Sequence, residues 1–181
     1  MILNEEQKKQ FALTLDPKTN EWFYDCKFVQ TKFARAFFGD WISFLGNMII
    51  FDSSVKIGNL QIQNCLCLVA ELQHTNITSG IAIQRLYSTL LGSLITDYTQ
   101  QDCFLNENVL FYNNKQLSIM ILKPVHDSII FHIFIPLSEV SNNSNLSYLE
   151  VEEEKLPEFK QRLHDGFYEL VRSVFFESQE V

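Results

Sequence analysis

The sequence contains little glycine, little proline and few basic residues, and it has no long apolar run. Six Gly and four Pro are scattered over 181 residues, so no glycine-rich, phosphate-cradling loop can be drawn. Only 14 Lys and Arg stand against 22 Asp and Glu, a net charge of −8. That balance excludes the basic footprint of a typical nucleic-acid binder. No apolar run approaches the ~20 residues that a membrane span needs.

The four cysteines, Cys26, Cys65, Cys67 and Cys103, lack the spacing of a zinc site, which wants two close pairs or a Cys/His set. The first ten residues are polar and charged, unlike a signal peptide. We therefore expect a cytoplasmic protein with reduced, buried thiols and no metal site. The cofactor, if there is one, stays unknown from the sequence.

The 16 phenylalanines are the main surplus, and they predict a core or a cleft lined with aromatic rings. The length suits one domain over residues 1–181. No linker or internal repeat divides the chain.

Apolar periodicity predicts strands clustered between helices. A short helix is expected after Asn4, and a central helix capped at Thr78 or Ser79. The central helix carries an apolar stripe of Ile81, Ile83, Leu86, Leu90, Leu91, Leu94, Ile95 and Tyr98, with Gln84, Arg85, Ser88 and Asp97 largely off it. The last helix starts near Leu156-Pro157. Strands are predicted at Glu21–Phe28, Trp41–Phe51, Val55–Gln63 (a hairpin), Cys65–Leu72 and Tyr148–Val151. This order predicts an α+β fold, a mostly antiparallel mixed sheet with helices packed on it.

The segment from Asn106 to Leu137 is the most informative part of the chain. A strand around Val109 to Tyr112 precedes Asn113-Asn114, which suits a type I′ turn because Asn tolerates positive φ. We expect the return strand over Gln116–Leu122, stopped at Lys123-Pro124. In the next strand, Ser128 to Leu137, the alternation places His132 on one face with Ile130 and Phe134.

Residues Lys115 to Ile135 resemble a small uncharacterised prokaryotic family of domains that itself resembles the catalytic domain of biotin and lipoate protein ligases. Leu117-Ser118 opens a strand, Ser128 follows ten residues later, and His132 lies near the centre of the next strand. Weaker similarities are Tyr24-Asp25, Ile42 to Gly46, Glu71 and Gln84-Arg85-Leu86. The resemblance implies the fold shared by biotin ligases and class II aminoacyl-tRNA synthetases.

The resemblance also implies a site, from which this chain departs at one position. The ligases place a lysine at the opening of the second strand, where it binds the substrate carboxylate and the adenylate phosphate. Gln116 stands at that position here, and Lys115 is one residue earlier. One step along a strand turns the side chain to the other face. Either Lys115 replaces the lost lysine through a bulge, or the lysine role is gone.

The candidate ligand-binding residues are Lys115, Ser118, His132 and Arg85. His132 is either a general base or ligand contact in a cleft, or a core histidine hydrogen-bonded to a neighbouring strand. Arg85 is either an anchor for a carboxylate or phosphate, or an exposed arginine on a helix. Glu71, at the end of an apolar run, is either a buried acid or a solvated one.

Two functions are open at this stage. In the first, the chain binds a small carboxylate or nucleotide-like ligand in a cleft, with the typical ligase motifs degenerate. In the second, it is a non-catalytic protein-interaction domain that forms a homodimer through Phe-rich surfaces. The sequence leaves open whether the chain is an enzyme.

Overall fold

The computed structural model describes residues 13–15, 17–18, 22–25, 47–73, 75–125, 128–141 and 143–176. The predicted N-terminal helix after Asn4, Cys26 and the segment Ile42 to Gly46 lie outside these residues. The side chains of Tyr24 and Asp25 also lie outside the described part of the chain.

The larger sheet has six strands in the order β1-β2-β3-β4-β9-β8. Their bounds are β1 Leu13–Leu15, β2 Trp22–Asp25, β3 Asn47–Ile57, β4 Leu60–Gln73, β8 Ile119–Val125 and β9 Ser128–Pro136. Among the described strands of this sheet, only β2 and β3 run parallel, and every other neighbouring pair is antiparallel. The prediction of an α+β fold with a mostly antiparallel mixed sheet is confirmed.

Strands β3 and β4 form one long hairpin whose tip is the predicted hairpin at Val55–Gln63. Their pairing runs from Asn47↔Glu71 to Ile57↔Leu60, with one irregularity between Ser53 and Val55. Gly58 takes a positive φ of 61° in the turn, a conformation that glycine adopts without a Cβ penalty. The apolar runs on either side of the turn therefore become two neighbouring strands of the sheet.

A smaller sheet contains β5 Cys103–Asn106, β6 Val109–Tyr112 and β7 Lys115–Gln116, in that order. Asn113 and Asn114 have φ of 52° and 59°, so the predicted I′ turn between β6 and β7 is confirmed. The return strand differs from the prediction because it divides into β7 and β8. Between them, the Leu117 N–H still donates to Leu110 O at 2.7 Å and thus stays with the small sheet.

Two further predictions about strands are wrong. Pro124 lies inside β8, paired with Ile129, because β8 is an edge strand of the described sheet and a proline can face outward there. Residues Tyr148–Val151 form no strand; the Leu149 N–H donates to Pro136 O at 2.8 Å without a ladder around it.

Helix α1, Ile77–Thr99, is capped by Asn76 and not by Thr78 or Ser79. The Asn76 side chain accepts a hydrogen bond from the Ser79 N–H at 2.9 Å, and the helix ends at Gln100 in the left-handed conformation. Helix α2, Leu156–Phe176, carries Pro157 in its first turn as expected. Neither of these helices is long and apolar enough to cross a membrane.

Both helices pack on one face of the larger sheet. Tyr87 of α1 donates its hydroxyl to Leu163 O of α2 at 3.0 Å, and its ring meets Phe167 edge-on at 5.4 Å. Phe167 in turn contacts Phe131 of β9 at 5.9 Å. The buried side chains between helices and sheet include Leu66, Leu68, Ala70, Leu72, Ile83, Leu91, Ile95, Ile133, Ile135, Phe159 and Leu163.

The buried face of α1 differs from the predicted apolar stripe. Gln84 and Ser88 are buried, whereas Ile81 and Leu86 are 38% and 48% exposed. Gly80, Gln84, Ser88 and Gly92 follow one another at four-residue spacing along the buried face of α1. Three of the four are small, and Gly80 and Gly92 allow close approach, which explains why this face differs from the predicted apolar stripe. A Cβ on Gly80 would lie 3.0 Å from Ile129 Cγ2, and one on Gly92 3.2 Å from Cys103 O.

Gln84 lies in this row of small residues but has a long polar side chain. Its Nε2 is buried and has no hydrogen-bond partner. An unsatisfied buried donor costs about 1–3 kcal/mol. We expect Gln84→Met, of similar length and without the donor, to raise the free energy of unfolding by about that amount. Urea denaturation measures it. Arg85→Met, at the exposed neighbour, is the matched control and should change little; equal behaviour of the two variants would contradict the explanation.

Candidate functional site

The face of the larger sheet opposite the helices, termed the far face, is buried at β4 and β9 and half-buried at β8. Strand β9 is buried along its whole length, and its alternate residues point to opposite faces. Phe131, Ile133 and Ile135 belong to the helix-side core, so Ile130, His132 and Phe134 lie on the far face, as the sequence predicted. Cross-strand partners share a face, which adds Cys67, Val69 and Glu71 from β4 and Ile119, Ile121 and Lys123 from β8.

Three ionisable side chains form a polar group within this apolar face: Glu71, His132 and Lys123. Glu71 and Lys123 are the partners of Ile130 on either side. His132 follows two residues further along β9, so it lies diagonally from both. Such diagonal neighbours are about 7–8 Å apart, within reach of long side chains.

His132 is fully buried. Burial lowers its pKa from 6.5 to about 4; a hydrogen bond to the backbone of Ile121 opposes the shift, and the charge of Lys123 adds to it. The imidazole is therefore neutral at pH 7, with one nitrogen to donate and one to accept. Its ring stacks on Phe134 at 5.8 Å and 15°, which fixes its plane.

Ser118 and Gln116 both bond to the backbone around the junction of the two sheets. Ser118 is fully buried, and its Oγ accepts a hydrogen bond from the Leu110 N–H at 3.0 Å. Gln116 Nε2 donates to Ser118 O at 2.9 Å. These bonds join β6 to the start of β8, so both side chains have a structural partner.

Lys115 and Arg85 are exposed, and the structure does not gather them around His132. Lys115 pairs with Tyr112 in the small sheet. Arg85 lies on α1, on the helix side of the larger sheet, whereas His132 faces the far side. The ligand-binding roles of Lys115, Ser118, His132 and Arg85 stay predictions, and of the four only His132 belongs to the polar group.

Glu71 is 6% exposed, which decides between the two interpretations in favour of a buried acid. Lys123 is not among the site residues that the sequence predicts, because Lys123-Pro124 there marks the end of a strand. The signal was present: Ile119, Ile121 and Lys123 alternate, and an antiparallel return through β9 places Lys123 beside Ile130. Long-range pairing of β4 with β9 then adds Glu71.

The described cysteines confirm the prediction of buried free thiols. Cys65, Cys67 and Cys103 are all unbridged and buried. Burial raises the pKa of Cys103 to about 12, and burial with the neighbouring Cys65 raises that of Cys67. The thiols of Cys67 and Cys103 are therefore protonated at neutral pH and poor nucleophiles. Within the described ranges, no three His, Cys, Asp or Glu side chains converge on a metal position.

The chain was compared with known proteins at the level of sequence and of structure. No protein-family model and no curated protein matches the sequence. A protein of unknown function from Pyrococcus horikoshi has a similar structure, with a TM-score of 0.71, 20% identity, and coverage of 88% of this chain and 92% of that one.

Biotin protein ligases share the fold at lower similarity. A variant of the Aquifex aeolicus ligase in complex with biotin gives a TM-score of 0.56 at 13% identity, over 69% of this chain and 60% of the ligase. The same ligase with biotin and ATP gives 0.53 at 12% identity, over 75% of this chain and 66% of the ligase. The biotin/lipoate-ligase-like fold is confirmed, and the match spans less than two thirds of the ligase.

The depressed pKa of His132 predicts a pH dependence of stability. Between pH 6.5 and about 4 the unfolded state binds a proton that the folded state does not, so stability falls as the pH is lowered through this window. The contribution lost is about 3 kcal/mol at most. Urea denaturation of the wild type and of His132→Gln at pH 7 and pH 5 measures the difference, and the variant should show a flatter dependence.

The control is His164→Gln, at a partly exposed histidine of α2. It should keep the wild-type pH dependence. If His132→Gln retained the same dependence as His164→Gln, proton uptake by His132 would not account for the loss of stability.

Proposed function

We propose that this chain binds a small molecule carrying a carboxylate or a nucleotide-like group in a cleft at the far face, and that its ligase motifs are degenerate. The observation that carries the proposal is the polar group of Glu71, His132 and Lys123 on adjacent strands. Of the residues predicted from the sequence, the proposal keeps His132 as the central contact.

Each member of the polar group offers a different chemistry. Lys123 supplies positive charge for an anionic group, and an ammonium–carboxylate hydrogen bond is stronger than a neutral one. Neutral His132 donates its one N–H to the backbone of Ile121, which leaves its other nitrogen as an acceptor for a ligand. Glu71, when ionised, accepts from amide or hydroxyl groups of a ligand. An anion with nearby polar groups is the ligand that this combination suits.

The energetics of the sheet support a functional use of these positions. The surrounding far-face residues Cys67, Val69, Ile130 and Phe134 are fully buried. Charged groups in such surroundings are expensive to desolvate, and apolar side chains of similar size are often as stable or more stable. Three ionisable residues on one small area are therefore more simply explained by a ligand than by the stability of the sheet.

The similar structures indicate the class of ligand. The Aquifex ligase is described in complex with biotin, which carries a carboxylate, and with biotin and ATP. The identity of 12–13% extends only the fold to this chain. We therefore propose an anionic small molecule as the class of ligand, and we do not propose biotin itself.

We propose binding and no acyl-transfer reaction, because the ligase lysine has no equivalent here. The Gln116 amide donates to the backbone carbonyl of Ser118, and Lys115 is exposed in the small sheet. The glycine-rich loop is also missing from the sequence. A cation that stabilises developing charge on an adenylate is therefore not available from that position.

The proposal is tested by calorimetric titration with biotin, lipoate, octanoate and ATP. We expect at least one of them to bind the wild type, and Lys123→Met to bind it roughly tenfold or more weakly, since a hydrogen bond to a charged group contributes about 1.5–3 kcal/mol. His132→Gln should weaken the binding of the same ligand. The matched control is Lys155→Met, at an exposed lysine in the turn that precedes α2.

Two further variants decide between the sites. Lys115→Met and Arg85→Ala alter exposed residues, and a loss of affinity from either would return that residue to the site. No heat from any of the four compounds, or equal affinity of Lys123→Met and Lys155→Met, would refute binding at the polar group. Circular dichroism of each variant verifies that it is folded.

A second candidate function is the non-catalytic homodimer, and strand β8 is the observation that favours it. It ends the described order of the sheet and is seven residues long. Its apolar residues Ile119 to Leu122 are half-buried. An edge of this kind can pair with another chain. By contrast, the predicted Phe-rich surface is limited, since Phe104 is the one exposed phenylalanine among the described side chains.

The dimer is tested by sedimentation and amide hydrogen exchange over a wide concentration range. Proline has no N–H, so Pro124 and the residues in step with it, Leu122 and Met120, have backbone positions that face away from β9. If β8 pairs with a second copy, these two amides should gain protection as concentration rises. A monomer at the highest concentration, with unchanged exchange at both amides, would exclude this dimer.

A further inference from the structure

A polar groove lies at the C-terminal end of α1, on the small sheet and apart from the polar group of the far face. Its volume is about 430 Å³, and it is lined by Gln100, Gln101, Asp102, Phe104, Asn113 and Asn114. We call it the amide groove, because four of its six lining side chains are amides. The proposed function does not involve any of these residues.

The electrostatics of the amide groove favour a positive ligand. The C-terminal end of a helix carries a partial negative charge on its last carbonyls. No basic residue lies in the last turn of α1 to neutralise it, and Asp97 in that turn is exposed. Asp102 adds a carboxylate to the lining, which contains no Lys or Arg.

The hydrogen-bonding atoms of the groove also suit a donor-rich ligand. Gln100 Nε2 donates one hydrogen to Asp97 O at 2.7 Å, which leaves the accepting Oε1 and one N–H of this amide for a ligand. Asn113 and Asn114 are held at their positions by the I′ turn, with φ of 52° and 59°. Amide and carboxylate oxygens are acceptors, and ammonium and guanidinium groups are donors only.

Phe104 supplies an aromatic surface at one side of the groove. Its side chain is 50% exposed, and its ring is stacked on Phe111 at 5.9 Å and 14°. The stacking holds the ring in place, so it loses little freedom when a ligand covers it. A cation over an aromatic face is attracted by the ring quadrupole, and this contact is strongest for guanidinium and other weakly hydrated groups.

We propose that the amide groove binds an organic cation through its guanidinium or ammonium group. Asp102 and the helix end supply the charge, the amide oxygens accept the N–H groups, and Phe104 stacks on the planar or methylene part of the ligand. A sugar would use the same amides and the same ring. The negative potential favours the cation, and the experiment below includes a neutral sugar to separate the two.

The test is a titration of the full chain with agmatine followed by amide chemical shifts. We expect agmatine to shift the signals of Asp102, Phe104 and Asn114, with an affinity that falls as salt is added. Asp102→Asn should weaken binding roughly fivefold, the value of one exposed ion pair near the upper end of its range. Asp165→Asn, at an exposed aspartate of α2, is the matched control.

Two further variants sharpen the assignment. Phe104→Leu keeps an apolar side chain without the ring, and it should also weaken the binding of agmatine. Lys115→Ala should strengthen agmatine binding, because Lys115 follows Asn114 directly and its charge repels a cation in the groove. N-acetyl-arginine amide is titrated in parallel to distinguish a free amine from an arginine side chain, and binding of either supports the groove as a cation site.

Three outcomes would overturn the proposal. The first is no shift with agmatine at these signals. The second is an equal response to glucose, or to AMP, which would mean that charge does not select the ligand. The third is the same agmatine affinity in Asp102→Asn and Asp165→Asn.

Discussion

The burial of β4 and β9 on both faces is the constraint on which the rest of the structure depends. Both strands lie at the centre of the larger sheet, with helices on one side and buried side chains on the far face as well. Every apolar side chain of Ile129 to Ile135 therefore contributes to one of two cores. A one-residue slip of register would exchange the two faces, so the pairing of these strands fixes which residues meet the helices.

This constraint gives the polar residues of the central strands their meaning. On a sheet with one wet face, His132 and Glu71 could point to water without consequence. Here they are buried, and the alternation leaves them no exposed orientation. The same register that sends Phe131 and Ile133 to the helices places His132 opposite Val69 and Ile121. Fold and candidate site thus arise from the same register of β9 with its two neighbours, β4 and β8.

Local sequence patterns predicted those structural features that depend on residues nearby in the chain. Asn113-Asn114 turned as expected because positive φ is a property of those residues, and His132 faced as expected because strand alternation is local. The division of the return strand could not be predicted in this way. It depends on Ser118, whose hydroxyl accepts from the Leu110 N–H across the junction. Lys123 likewise acquires its neighbours only through pairing with β9.

The step between Lys115 and Gln116 shows why a resemblance in sequence carries the fold further than the activity. The type I′ turn and Leu117 match the resembled family, because packing requires a buried leucine and a turn of this type. A lysine at the next position is a requirement of chemistry alone, and packing does not enforce it. Once Gln116 bonds to Ser118 O, the position is satisfied structurally. Lys123, on the strand that follows, pairs with Ile130 and so belongs to the far face, which places the polar group there and not at the turn.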